Sequence, residues 1–351
     1  MASALNHPAL ILLSELLDIP APSGREERLG ERVSTKTADL GYVPVTDGAG
    51  NVVVRLSGRD SAAPLTVIAA HLDEIAMVVV GIGDEGALRV DRSGGLYPWK
   101  LGECPVDIVG DGEVVRGVLS YGSTHTKGAE PGGGQWSDWR VVTGLSREQL
   151  AAAGVRVGST AVPFRAMRGP VLFGDPADPL VAAWTFDDRG GVVTLLRLLE
   201  SIRDDAIEPE GDLIIAFTVH EEGGCHGAKV LADRERPEVF LAVDGCPIPP
   251  GSSLKLDGRP GTWSKDSVTH FDQRLVQALL RCARAAGTEL QTAVYDAAAS
   301  DASEVYASGG APRVGTVGIV RENSHGYEVA RLSVFDNLLK TLVRFVQKWR
   351  A

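Results

Sequence analysis

Leu65-Thr66-Val67-Ile68-Ala69-Ala70-His71-Leu72-Asp73 is an uncharged, mainly apolar run that ends in an imidazole and a carboxylate. Such a run suits a strand buried on both faces of a mixed sheet. In open α/β sheets, sites form just beyond the C-terminal ends of strands, so His71 and Asp73 stand where chemistry gathers. The pattern recurs down the chain. The stretch 213–219 is followed by Glu221 and Glu222, the stretch 239–243 by Asp244, and a strand expected at 181–185 by Asp187. His325 lies in a loop beyond a strand expected at 313–318. Each piece alone has an ordinary explanation: a capping turn for Asp187-Asp188-Arg189-Gly190, a solvated strand end for the glutamates, an exposed loop for His325. Their coincidence is the signal, because the strand interiors between them carry almost no charge.

Outward from this run, helices are expected at 10–17 and 26–40, with short strands at 43–45 and 51–56. From about 77 to 164 the texture changes to short Val-rich strands punctuated by glycine, among them 87–90, 105–109 and 114–119. One helix is expected there, 147–153, opened by Ser146 and closed by Gly154. The glycine-rich stretch 127–135 reads as a mobile loop. Short regular strands with frequent turns indicate a small barrel or sandwich. From 180 onward strand and helix alternate again, with helices expected at 190–202, 227–232, 268–286 and 334–349. The expected fold class is α/β: a three-layer α/β/α body on a mixed sheet, split by a small all-β, barrel-like insertion. Two domains are the default for 351 residues. The body takes 1–75 and 166–351, and the insertion 76–165.

Lys plus Arg total 35 against 46 Asp plus Glu, a formal charge of −11, which argues against nucleic acid as a partner. No apolar run reaches about eighteen residues, so no membrane span is expected. The stretch 9–13 lacks a basic flank and a cleavage site and does not read as a signal peptide. A cytoplasmic protein is expected. Cys104, Cys225, Cys246 and Cys282 are widely spaced and form no CxxC, as reduced thiols would be. Cys225 and Cys246, although near Glu222 and Asp244, read as small buried packing residues.

Together the acids and imidazoles have the composition of a two-metal site. Two divalent ions about 3.5–4 Å apart need a carboxylate to bridge them and further ligands on each. A free carboxylate beside them takes a proton from water and passes it to the leaving group. His71, Asp187, Glu221, Glu222, Asp244 and His325 supply five ligands and one spare acid. Adjacent glutamates divide that labour, one coordinating and one acting as base. Asp73 is placed to hold the second nitrogen of His71. The other histidines carry less: His220 would face away from Glu221, His226 and His270 open helices, His7 lies in the lead-in and His125 in the insertion.

Several motifs run in order: Pro22-Ser23-Gly24-x-Glu26, His71-Leu72-Asp73-Glu74-Ile75 and Gly154-Val155-Arg156-Val157-Gly158. Phe186-Asp187-Asp188-Arg189-x-Gly191, Glu221-Glu222-Gly223-Gly224-x-x-Gly227-Ala228, Asp301-Ala302 and Ser324-His325 with Glu328 follow. Almost end to end, the chain resembles the M42-family metallo-aminopeptidases, the glutamyl and tetrahedral aminopeptidase group. The resemblance implies a metallopeptidase body with a dinuclear centre. Asp187 would bridge two divalent ions, His71 and Asp244 would complete one site, and Glu222 and His325 the other. Glu221 would be the general base that activates a metal-bound water, and Asp73 would stand behind His71. The resemblance further implies zinc as the first choice of metal, with cobalt or manganese as alternatives, and a cis Asp187–Asp188 peptide. It implies short peptide substrates cleaved at the N-terminus. It also implies an insertion that supports dimers and larger homo-oligomers, often dodecamers.

The chain departs from the family at Ala76, where glycine is usual. Gly223-Gly224-Cys225-His226-Gly227 stands for Val-Gly-Leu-Arg-Gly, and Arg321-Glu322-Asn323-Ser324-His325 for Arg-Tyr-x-His. None of these removes a ligand; they bear on the pocket around the substrate. Two rivals fit the same fold: a metal-dependent amidase or deacylase acting on a specialised small amide, and a non-catalytic assembly protein. The complete ligand set speaks against the second.

Overall fold

The computed structural model describes residues 2–123, 125 and 134–350. The glycine-rich stretch 127–135 lies outside the described residues, apart from its last two positions. Eight strands form a mixed sheet in the order Val45–Thr46, Val52–Leu56, Leu213–Thr218, Thr66–His71, Val239–Pro247, Arg313–Arg321, Gly261–Lys265 and Gln291–Val294. The middle four are mutually parallel, and Val52–Leu56 and Gly261–Lys265 run against them. Every residue of Thr66–His71 and of Leu213–Thr218 is buried, which is why both read as unbroken apolar runs rather than alternating ones.

Side chains alternate between the two faces of the sheet. Ile68 and Ala70 enter one apolar core, with helices Pro8–Leu17, Phe186–Asp204 and Ser333–Lys348. Val67 and Ala69 enter the opposite core, with helices His226–Glu235 and Asp301–Ala307. This double cover makes the three layers. Cutting Ile68 back to alanine there would cost about 2–5 kcal/mol.

Six antiparallel strands, from Ala76–Ile82 to Thr160–Pro163, close into a barrel around Met77, Val106 and Leu119. Its helix Arg147–Ala152 carries a capping box between Ser146 and Gln149. A second short helix, Pro98–Leu101, went unanticipated.

Two expectations change. The strand expected at 181–185 does not join the main sheet. Leu180–Trp184 instead lies between Val171–Phe173 and Tyr327–Arg331 in a separate antiparallel sheet. A pairing such as Val181 with Ala330 leaves no trace in local periodicity. The helix expected from 268 starts later, at Gln273, where Asp272 accepts hydrogen bonds from the N–H groups of Arg274 and Leu275. His270 precedes it, bridged to Lys265. Among the described residues, no helix is long and apolar enough to cross a membrane.

Candidate active site

The four parallel strands point their C-terminal ends at one hollow. His71 is the last residue of Thr66–His71, and Asp244 lies inside Val239–Pro247. Leu213–Thr218 ends before the glutamates, which follow a turn in which His220 takes a left-handed φ of 58°. Asp187 opens helix Phe186–Asp204, and the Asp187–Asp188 peptide is cis. His325 follows Arg313–Arg321 in a loop where Asn323 and His325 have φ of 60° and 57°.

Asp187 stands at the centre. His71 Nε2 lies 3.1 Å from its Oδ1 and His325 Nε2 lies 3.4 Å from its Oδ2. One carboxylate therefore faces both imidazoles. Ligand-type atoms of His71, Glu221 and Asp244 fall within 4.8 Å of one another, as do those of Asp187, Glu222 and His325. Each imidazole is aimed through its other nitrogen. Nδ1 of His71 is 3.1 Å from the Asp73 carbonyl, and Nδ1 of His325 is 3.2 Å from the Gly95 carbonyl. A proton on Nδ1 donated to these carbonyls leaves the Nε2 lone pair for the hollow.

The Asp73 carboxylate is 3.5 Å from His71 Nδ1, but its shorter contacts lie elsewhere. It accepts from the Ser23 hydroxyl at 2.7 Å and from the N–H groups of Glu221 and Glu222 at 2.9 and 3.0 Å. It thus fixes the backbone of the glutamate pair as well as standing behind the histidine.

Sequence reasoning passed over the role of Arg321. Fully buried, it donates to Asp187 Oδ2, and at 2.7 Å to Glu328 Oε1. Glu328 in turn accepts from the backbone N–H of Asp187 at 2.9 Å and of His325 at 3.1 Å. This pair ties the central carboxylate to the His325 loop. Gly245 makes room for it, since a Cβ there would sit 0.7 Å from a guanidinium nitrogen. The available signal was an arginine closing an apolar strand with an acid seven residues on.

Charge is crowded here. Burial, with repulsion from Asp187, pushes Glu222 and Asp244 each up to about 7. Burial and the neighbouring Asp244, Glu222 and Asp301 hold the Glu221 carboxyl well above its usual range. The Glu222 carboxylate raises His325 to about 10. Burial opposes a charged His71, yet Glu221, Asp187 and Asp73 together hold its pKa well above the ordinary value. Burial likewise opposes ionised Asp187, but Arg321, His325 and His71 keep it well below the usual carboxylate range.

These residues suit divalent cations. Glu222 Oε1 is buried without a hydrogen-bond donor, and packed acids with oxygen and imidazole donors match the ligands that zinc and its neighbours take. The hollow opens into a cavity of about 480 Å³ bordered by Trp99, Trp263, Ala298 and Cys225. Residues 50–340 match the sequence pattern of the M42 glutamyl aminopeptidase family. The chain belongs to that family.

A glutamyl aminopeptidase of Lactococcus lactis is 29% identical to this M42 chain over 327 residues, covering 89% of it and 88% of the relative. A lysyl aminopeptidase of Pyrococcus furiosus is 29% identical over 241 residues, covering 66% and 65%. Among solved structures, an aminopeptidase from the archaeon Desulfurococcus kamchatkensis superposes with a TM-score of 0.86 at 26% identity, covering 97% of this chain and 95% of that one. The Pyrococcus horikoshii TET1 peptidase, which can assemble into a tetrahedron or a large octahedral shell, has a TM-score of 0.85 at 26% identity and covers 97% and 100%. The M42 chain is thus a hydrolase of the aminopeptidase type, and its family implies divalent metal ions.

Proposed function

We propose that the chain is a dinuclear metal-dependent aminopeptidase that removes N-terminal residues from short peptides. One observation carries this reading: the Asp187 carboxylate faces His71 on one side and His325 on the other. Asp187 would hold both of two divalent ions, with His71 and Asp244 to complete the ligands of one, and Glu222 and His325 those of the other. Zinc suits this donor set first, with cobalt or manganese as alternatives.

Divalent ions in the hollow would supply Lewis acidity toward the scissile carbonyl and acidify water. The chain's own residues do the rest. Glu221 is the general base. Its carboxylate lies 3.9 Å from His71 Nε2, next to the ligand groups, and the Asp73 carboxylate holds its backbone. It takes the proton from the attacking water and delivers it to the leaving nitrogen. The surrounding acids attract the ammonium of a free N-terminus. The cavity of about 480 Å³ beside these acids gives room for the end of a peptide.

We assign residues 1–75 and 166–351 to the catalytic body and 76–165 to an assembly module. Val118 and Val142 pair on the outside of the barrel and are 46% and 45% exposed. That exposed valine pair, with the shells formed by the horikoshii relative, supports homo-oligomers built from dimers, up to dodecamers. The same acids and imidazoles would also serve a metal-dependent amidase or deacylase acting on a specialised small amide, because the loop before His325 that borders the cavity departs from the family pattern.

A metal-reconstituted screen separates the readings. Hydrolysis of free aminoacyl-nitroanilides and not of N-acylated amides is expected, abolished by chelation and restored by zinc, cobalt or manganese. Turnover of acylated amides alone supports the amidase. Activity indifferent to exhaustive metal stripping removes both.

A further inference from the structure

Beneath Glu221 lies a second set of groups that the catalytic reading leaves unused. Cys225 occupies the turn into helix His226–Glu235, and its Sγ is 3.5 Å from Glu221 Oε1. Asp301 opens helix Asp301–Ala307 on the same side of the sheet. Its Oδ2 accepts from the Thr218 hydroxyl at 2.6 Å. Its Oδ1 is buried with no hydrogen-bond donor, and the Cys225 thiol contacts the Asp301 carboxyl. One oxygen each of Glu221 and Asp301 and the Cys225 sulfur lie within 4.8 Å of one another. Cys225 and Asp301 are each 3% exposed. Cys225 nevertheless borders the main cavity, so a small ion has a route in.

Read from sequence, Cys225 is a packing residue. Its surroundings argue otherwise. An aliphatic pocket asks nothing of a thiol, whereas here oxygens of two buried carboxyls, Glu221 and Asp301, lie within 4.8 Å of it, and Asp301 Oδ1 lacks a hydrogen-bond donor. A buried acceptor without a donor is costly, and a bound cation is one way to satisfy it. Two carboxylates and a thiolate make a three-ligand set for a borderline-soft ion, which would sit about 2.0–2.3 Å from each donor. The sulfur selects zinc, cobalt or cadmium over magnesium and calcium.

We propose that Glu221, Cys225 and Asp301 form a third, thiophilic divalent-cation site next to the pair centred on Asp187, and that it fills after that pair. The thiol proton leaves to solvent as the ion binds. An ion held there ties up Glu221, so excess zinc should inhibit. That consequence rests on Glu221 being the base; the site itself does not.

The test is a cobalt titration of the whole protein, with metal content and ultraviolet absorbance followed together. None of the groups around Asp187 is a thiol, so a thiolate-to-cobalt charge-transfer band reports the third site alone. The band is expected to grow only after two equivalents are bound. Cys225→Ala should lose both the band and the third equivalent while keeping the first two. Cys225→Ser should lose the band while circular dichroism stays unchanged. A third equivalent without the band, or a band that survives in Cys225→Ala, overturns the site. Activity under excess zinc separates the two readings. With the band present, equal inhibition of wild type and Cys225→Ala strikes at Glu221 as base, not at the site.

Discussion

His71 and His325 reach the same carboxylate by different means. His71 ends a central parallel strand and is 2% exposed. Everything that aims it belongs to the α/β body: the Asp73 carbonyl behind Nδ1 and the Asp188 carboxylate on its backbone N–H at 3.2 Å. His325 stands on a loop with its side chain 31% exposed. Its Nδ1 is held by Gly95, and Lys100 grips the same loop through the Ser324 carbonyl at 3.0 Å. Both of these grips come from the barrel segment, and they add to the Glu328 carboxylate of the body, which accepts from the His325 N–H. A histidine fixed by the sheet is as rigid as the core; a ring aimed by a contact from the barrel is only as rigid as that contact. Half of the centre is inherited from the sheet, and half is assembled across a boundary.

As the proposed base, Glu221 would serve both halves, so its loss should cost most. Glu221→Gln is expected to keep fold and metal content while kcat falls about 10²–10⁴-fold. An undiminished kcat removes it as base and leaves the two arms without a common worker.

The asymmetry itself is tested by Gly95→Ala, which puts a Cβ 2.4 Å from His325 Nδ1. Affinity for one metal equivalent should drop about 10–100-fold while the other holds, as read by calorimetric titration. Loss of both equivalents, or of neither, erases the distinction between the arms.

Asp73→Asn probes the inherited half. It sets an amide donor against one of the N–H groups of Glu221 and Glu222, or against the Ser23 hydroxyl. Urea unfolding should show a loss of about 1–3 kcal/mol; an unchanged midpoint would mean the pair is held by something else.

The crowding of charge is tested by the pH response of metal-free protein. Glu222 and Asp244, pushed up to about 7, keep protons in the folded chain that an unfolded chain releases near pH 4. The folded state then binds more protons, so stability falls as pH rises from about 4 to about 7. His325, at about 10, continues the fall, because the unfolded imidazole loses its proton first, near 6.5. The Tm of metal-free protein should therefore decline from about pH 5 to about pH 9, and bound metal should remove the decline. A rising Tm over that window contradicts the crowding of acids around Asp187.

The inherited half was the legible half. His71, Glu221, Glu222 and Asp244 each follow or close an apolar strand, so chain order alone placed them on one rim. The family resemblance went further and ordered them into roles. The assembled half left few signs. Gly95 and Lys100 look like loop residues of the insertion, and nothing local says that they touch a loop more than two hundred positions later. Arg321 reads as the polar end of a strand, because its value lies in partners brought by other elements. The sheet containing Leu180–Trp184 was missed for the same reason, since its pairing depends on Tyr327–Arg331. Periodicity reports which face of an element is buried, and not what it is buried against.

Anomalous diffraction from crystals grown with cobalt decides whether Asp187 is the shared ligand. Two peaks about 3.5–4 Å apart, one beside His71 and Asp244 and one beside Glu222 and His325, both touching Asp187, are expected. A single peak, or two that do not share Asp187, would contradict the dinuclear reading.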